Sequence, residues 1–256
     1  MISKAKTKYI HALQLKKNRT AERKFVAEGP KVVDDLMITA SPTLVVATAA
    51  WLADHRQALD SNTEVCEVTD EELKKVSFLQ HPQQVLAVFP MYDAQDGKLP
   101  QPASNELALA LDGVQDPGNL GTIIRIADWF GITKIYCSRE TADAYNPKVV
   151  QATMGSIARV RLVYTDLVPM LRSVEGEVPV YGTLLDGEDL YDKPLTQGGI
   201  IVMGNEGNGI SPEVARCVNS RLLIPPFPAD AATVESLNVA VATAVVCAEF
   251  RRRQSL

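Results

Sequence analysis

Five polar side chains between residues 119 and 238 stand where chemistry could use them. Asn119 and Arg125 lie in NLGTIIR, Glu206 sits between glycines in GNEGNGIS (Gly204 to Ser211), and Ser236 and Asn238 lie in ESLNVAVA. Glycines at 204, 207 and 209 let the backbone turn through positive φ and approach a ligand closely. A carboxylate at Glu206 has little packing role among them. The run matches neither GxGxxG nor GxxxxGKS/T, so neither a dinucleotide fold nor a P-loop follows. Each residue also has a plainer reading. Arg125 can pair with Asp128 at (i, i+3) on an exposed helix face, worth a few tenths of a kcal/mol. Ser236 is a natural N-cap, and Asn238 a first-turn amide that needs partners if buried. Taken singly, the residues leave both readings open.

Other constellations are missing from the sequence. His11, His55 and His81 lack metal-ligand spacing and precede the segments above. There is no GxSxG elbow and no Cys/His pairing that suggests a thiol nucleophile. Cys66, Cys137, Cys217 and Cys247 are scattered without a CxxC pair, which suits reduced thiols in a cytosol. No apolar run reaches the roughly 18 residues of a membrane span. The basic N-terminus is followed by no apolar core of signal-peptide type, so a cytoplasmic protein with no membrane partner is expected. The 256 residues are 46% hydrophobic and 22% charged, as in an ordinary globular chain. The net charge is −5, yet Lys4, Lys6, Lys8, Lys16, Lys17, Arg19, Arg23 and Lys24 face only Glu22 in the first 24 residues. A basic arm on an acidic body is either a phosphate-contacting surface or a solvated helix.

The elements that must position the polar residues follow from periodicity. A basic helix spans Ser3 to Asn18, and Lys24–Glu28 reads as a strand. A helix from Gly29–Pro30 follows, then a strand at Thr43–Thr48, a helix at Trp51–Leu59 and a strand at Val65–Val68. A helix opened by Asp70–Glu71–Glu72 and a strand at Gln84–Phe89 complete a small α/β unit. The polar, Pro- and Gly-rich stretch that follows reads as a linker. The expected division is therefore 1–92, linker 93–105, and 106–256. Beyond it strands (Leu107–Leu111, Lys134–Cys137, Val160–Tyr164, Val178–Leu184, Gly199–Met203, Arg221–Ile224) alternate with helices. Those helices are expected at Leu120–Phe130, Pro147–Met154, Leu167–Val174, Pro212–Cys217 and from Leu237 to Arg252. Alternation implies an α/β fold with a mostly parallel sheet whose ligands lie beyond the carboxyl ends of strands. In the Leu120–Phe130 helix Asn119 is the expected N-cap. Ile123, Ile126, Ala127 and Phe130 form the sheet-facing stripe, and Gly121, Arg125 and Asp128 the polar face.

Together NLGTIIR, GNEGNGIS and IPP…ESLNVAVA (Ile224 to Ala242) resemble the three ordered motifs of the SpoU/TrmH family, RNA 2′-O-ribose methyltransferases of the SPOUT superfamily. Order and spacing fit over about 150 residues. The first 92 residues resemble the L30e-like RNA substrate-binding domain of many members, and FVAEGPKVVDDL is similar to its opening segment. One departure is PPFPADAATVE between Ile224 and Ser236, longer than the loop common in relatives.

The resemblance implies a knotted SPOUT methyltransferase domain at 106–256, with a C-terminal deep trefoil knot that chain-level rules would not have predicted. It implies S-adenosyl-L-methionine as methyl donor, with Thr183, Leu184, Gly204, Ile224 and Leu237 as donor contacts. By motif position Asn119, Arg125, Glu206, Ser236 and Asn238 form the catalytic and substrate set, with no metal. It further implies a homodimer and an RNA substrate, ribosomal RNA favoured over transfer RNA. An arginine gives up its proton only above about pH 12, so a phosphate-holding, hydroxyl-polarising role for Arg125 is preferred to that of a free base. Two other classes remain: a non-catalytic knotted RNA-binding protein, against which the intact polar set argues, and a doubly wound nucleotide-binding enzyme, whose glycine fingerprint DGVQDPGNLG does not match.

Overall fold

Short apolar runs such as LALAL and GIIVM become strands, because a strand covered on both faces needs no polar alternation, whereas the longer run VAVATAVVCA becomes a helix. The computed structural model describes residues 2–92, 101–103, 105–228 and 236–254. Most of the expected linker (93–100 and 104) and positions 229–235 of the long loop lie outside the described residues. The chain forms two compact units: Met1–Asp93 with Asp143–Arg159, and Ala94–Ala142 with Val160–Leu256.

In the first unit the elements are α1 (Lys4–Ala12), α2 (Lys16–Glu22), β1 (Lys24–Glu28), α3 (Pro30–Met37), β2 (Leu44–Ala47), α4 (Ala49–His55), β3 (Glu64–Glu67), α5 (Asp70–Val76) and β4 (Val85–Pro90). Strand order is β1-β4-β2-β3, antiparallel except for the β2–β3 pair. Ile10, Leu13, Val26, Val46, Leu73 and Leu86 belong to the core on one face. The single helix expected at Ser3–Asn18 is two helices. Asn18 Nδ2 donates to Ala12 O (2.7 Å), and Arg19 Nη1 donates to the carbonyls of Leu13 (2.9 Å) and Gln14 (2.6 Å). Side chains from α2 thus satisfy carbonyls that α1 leaves open at its end, and the helix stops. Arg19 is consequently buried rather than offered to a phosphate, and its Nη2 meets Asp143 Oδ2 at 2.5 Å.

That ion pair belongs to a segment the sequence assigned to the second domain. Asp143–Arg159, which includes α7 (Pro147–Ala152), is part of the first unit. Its Tyr145 ring lies 4.8 Å from the Phe25 ring, and Arg159 Nη1 is 3.5 Å from Asp35 Oδ2. Val149, Val150, Ile157 and Ala158 are buried.

The second unit comprises β5 (Leu107–Leu111), α6 (Pro117–Trp129), β6 (Lys134–Cys137), β7 (Arg161–Tyr164), α8 (Leu167–Arg172), β8 (Val180–Asp189), β9 (Gly199–Met203), α9 (Pro212–Ala215), β10 (Ser220–Leu223) and α10 (Val239–Gln254). Its sheet runs β10-β8-β9-β5-β6-β7, with every pair parallel. From β5 the chain steps outward to β6 and β7. It then returns beyond β9 to β8, comes back beside β5 as β9, and leaves to β10. The order reverses between β5 and β9, the kind of place where open α/β sheets form a ligand crevice at strand carboxyl ends.

Two details of α6 differ from expectation. Its buried face is Leu120, Gly121, Ile123, Ile124 and Ala127, so Gly121 is not on the polar face, and Ile126 and Phe130 are only half-buried. Its N-cap is Asp116, whose Oδ1 accepts from Asn119 N at 2.8 Å. Pro117 at the first helical position explains the earlier start, since proline there loses no helix hydrogen bond.

Candidate functional site

The carboxyl ends of β5 and β9 lie side by side, with Leu111 paired to Met203, so the loops that follow emerge together. From the first, Asn119 rises in the opening turn of α6; from the second, Glu206 is carried on the glycine run. Asn119 Nδ2 donates to Glu206 Oε1 at 2.7 Å. Asn238 Nδ2 in turn donates to Asn119 Oδ1 at 2.9 Å. Three sequence segments 87 and 119 residues distant from one another's contacts thus converge on one amide.

Asn238 is held from the other side. Its Oδ1 accepts from Ala240 N (3.0 Å) and Val241 N (3.3 Å), so Asn238, not Ser236, caps α10. The helix starts at Val239, which leaves Ser236 exposed in the approach to the cap. Arg125 stands two turns along α6 from Asn119, exposed, and among the described residues its guanidinium has no hydrogen-bond or ion-pair partner. The structure therefore links Asn119, Glu206 and Asn238 directly, sets Ser236 next to them in the chain, and leaves Arg125 on the same helix with its donors open.

Four of the five residues expected to hold the donor come from neighbouring strand ends that form a second rim. Thr183 and Leu184 are in β8, Gly204 follows β9 and Ile224 follows β10, and these three strands are adjacent and parallel. Thr183 Oγ1 lies 3.4 Å from Val202 O. The ladder between β8 and β10 jumps from Gly182–Arg221 to Glu188–Leu222, so Thr183–Gly187 departs from the regular ladder, and Leu185 is 76% exposed. A side chain at Gly204 would put Cβ 2.2 Å from the Gly209 carbonyl carbon, and one at Gly187 would put it 2.5 Å from that of Leu222. Only glycine permits backbones to lie this close. A rim of backbone groups flanked by half-buried Leu184 and Ile224 fits an adenosyl moiety, which needs apolar walls and a few hydrogen-bonding groups at fixed places. Leu237, partly exposed, lies just before α10.

Sequence reasoning missed three residues. Asn205 Nδ2 donates to Gly113 O (2.7 Å), Asp112 Oδ2 accepts from Ser211 N (2.7 Å), and Asp116 caps α6. The Asp116–Pro117 pair was a readable cap signal. Asp112 and Asn205 share a weaker one: short polar side chains within two residues of a strand's carboxyl end. Among the described residues no cluster of His, Cys, Asp and Glu could hold a metal ion.

Known proteins resemble the chain along most of its length. The model of the SpoU rRNA methylase family matches residues 106–248, and that of the MRM3-like substrate binding domain matches residues 4–87. The 23S rRNA (guanosine(2553)-2′-O)-methyltransferase RlmP of Bacillus subtilis is 31% identical over 244 residues, covering 93% of each chain. A TrmH-family structure from Porphyromonas gingivalis is 42% identical, with a TM-score of 0.86 over 99% of both chains. An AdoMet-bound rRNA methyltransferase from Sinorhizobium meliloti is 32% identical, with a TM-score of 0.86 over 99% of this chain and 96% of that one. All three ordered motifs fall within the matched stretch and meet at one strand crossover, and on that match the chain belongs to the SpoU rRNA methylase family.

Proposed function

We propose that this protein transfers a methyl group from S-adenosyl-L-methionine to a ribose 2′-hydroxyl of ribosomal RNA. The observation that carries the reading is the Glu206–Asn119–Asn238 chain, assembled from three distant segments beside a glycine-built rim. The rRNA methyltransferases among its relatives support ribosomal RNA over transfer RNA.

Bound at the rim of Thr183, Leu184, Gly204, Ile224 and Leu237, S-adenosyl-L-methionine supplies an electrophilic methyl carbon. The protein's part is alignment, since in-line displacement gains most from holding the reacting groups in register. Asn119 has its carbonyl oxygen and one amide hydrogen committed, so its orientation is fixed. Glu206 accepts through Oε1 and keeps its second oxygen open for a ribose hydroxyl. Arg125, a permanent cation at neutral pH, holds the phosphate next to the target ribose and polarises the hydroxyl. Ser236 and Asn238 hold the substrate backbone at the entrance to α10. Arg125→Ala is expected to abolish turnover on RNA while donor binding by calorimetry survives; retained turnover overturns the role. Mapping of 2′-O-methyl sites in RNA from cells lacking the protein identifies the target, and a site lost from transfer RNA instead would reverse the choice of substrate.

The first unit contributes phosphate contacts as a substrate-binding domain of L30e-like type. Lys4, Lys8, Lys16 and Lys17 are exposed there, whereas Lys6 pairs with Glu64. Replacing these four lysines with alanine is expected to weaken RNA binding and flatten its salt dependence; an unchanged slope removes the surface from the account.

The protein acts as a cytoplasmic homodimer through its second unit, whose C-terminal part is knotted. Trp129 at the end of α6 (86% exposed) and Val241 on α10 (52% exposed) are apolar surface of the kind an interface covers. Light scattering over a concentration series is expected to give twice the chain mass. All four cysteines are free, in keeping with a reducing compartment, and among the described residues no helix is long and apolar enough to cross a membrane.

A further inference from the structure

The glycine run that carries Glu206 is closed by backbone bonds between Asn205 and Gly209 (2.9 Å each way), and its exit is tied where Ser211 N donates to Asp112 Oδ2 (2.7 Å). Glu206, Gly207, Asn208 and Gly209 are all exposed, so packing does not fix where the carboxylate sits. Within the run, Asn205 is the side chain that reaches across to Gly113. Asn205 Oδ1 accepts from Gly207 N (2.9 Å) and Asn208 N (3.1 Å), shaping its own loop. Asn205 Nδ2 donates across to Gly113 O (2.7 Å), in the loop that leads to Asn119. Gly113 is gripped at its other pole, where its N–H donates to the buried hydroxyl of Ser138 at 3.0 Å. Asn205 thus uses both ends of its amide to tie the loop bearing Glu206 to the loop bearing Asn119.

From this geometry we infer that Asn205 is a positioning residue of the methyl-transfer site, acting through Glu206 and Asn119 without touching the substrate. The inference rests on the function proposed above. Losing the bridge leaves the turn at Glu206 free to shift against the Asn119 loop on the scale of about an ångström. Misplacement on that scale at an aligned displacement costs up to about a hundredfold in rate. The Glu206–Asn119 bond hangs from the exposed part of the run and the Ser211–Asp112 bond lies beyond Gly209, so neither fixes the turn at Glu206 as Asn205 does.

Asn205→Asp isolates the bridge. The carboxylate still accepts from Gly207 and Asn208, but it has no hydrogen to give and faces the Gly113 carbonyl oxygen instead. The expected result is a fall in kcat of roughly tenfold to a hundredfold with the melting temperature held. A double-mutant cycle with Glu206→Gln supplies the readout that mere structural support would not move. If Asn205 acts through Glu206, the double variant is no slower than Glu206→Gln alone. Should the aspartate variant melt early, Asn205→Ser, which is too short to reach Gly113, carries the same cycle. A wild-type kcat in Asn205→Asp, or a loss that adds in full to that of Glu206→Gln, overturns the role. Wild-type protein that binds donor yet turns over no RNA in the same assay overturns the proposed function, and this role with it.

Discussion

Asn238 has two tasks that chemistry can separate. Its oxygen caps α10, and its amide nitrogen holds Asn119. Asn238→Asp keeps the oxygen and removes the donor, so the protein is expected to melt as the wild type does while methyl transfer falls at least tenfold. Asn238→Ala loses both and should in addition lose about 1 kcal/mol of stability with the cap. Equal melting temperatures for the two variants, or equal activity to wild type in the first, would refute the division. At this scale the sequence was informative about residue type and poor about role. Glu206 among glycines and Asn238 before an apolar helix were visible, but the bond of each to Asn119 spans 87 or 119 residues and leaves no local trace. Arg125 looked like a surface charge by itself, and exposed it is; what singles it out is its place on the helix whose first turn carries Asn119.

Among elements, the glycine loop after β9 is the least replaceable. An alanine at 204 would drive its Cβ to 2.2 Å from backbone atoms of Gly209, which cannot swing aside as a side chain can. Gly204→Ala is therefore expected to abolish donor binding, measured by titration calorimetry, more completely than any single polar substitution in the site. Donor affinity within about twofold of wild type would show that this rim is not the donor site. Strands such as β5, β6 and β9 match their sequence-derived bounds because LALAL, KIYC and GIIVM are short, apolar and bounded by turns. The break between α1 and α2 was hidden. Its cause is Arg19, which reaches back to the carbonyls of Leu13 and Gln14, and a helical pattern carries no sign of that reach. The excursion of β8 at Thr183–Gly187 was hidden too, since TLLDG reads as the end of a strand when the partner β10 is unknown.

For the molecule as a whole, acid should loosen the C-terminus first. Glu249 is nearly buried, and the hydrogen bond from Arg252, reinforced by Arg253, holds its carboxyl down at about 2. Arg253 in turn donates to the carbonyls of Leu190, Tyr191 and Lys193, so this carboxylate fastens α10 to the segment after β8. A depressed carboxyl stabilises the fold fully above its ordinary value of about 4.3 and loses that contribution as pH falls toward about 2. Thermal melts of wild type and Glu249→Gln should therefore differ above about pH 5 and converge near about pH 2. A constant gap would place the stabilisation elsewhere. The two-unit layout was legible from the change in composition after Tyr92, but its second segment was not. Nothing local in DAYNPKVVQATMGSIAR says that Asp143 answers Arg19 from 124 residues away.

That answer makes the smaller unit a discontinuous one: the chain leaves it at 93/94, re-enters it at 142/143 and leaves it again at 159/160. A gene fusion that grafts a foreign N-terminal domain at residue 93 would leave Val149, Val150, Ile157 and Ala158 without the neighbours that bury them. Exchange of substrate-binding units between relatives must therefore move two stretches of sequence together. A chimera that swaps only the first is expected to aggregate, and one that also carries its own counterpart of 143–159 to remain monodisperse by size-exclusion chromatography. The packing of the first unit thus depends on sequence that lies inside the stretch matching the SpoU rRNA methylase model.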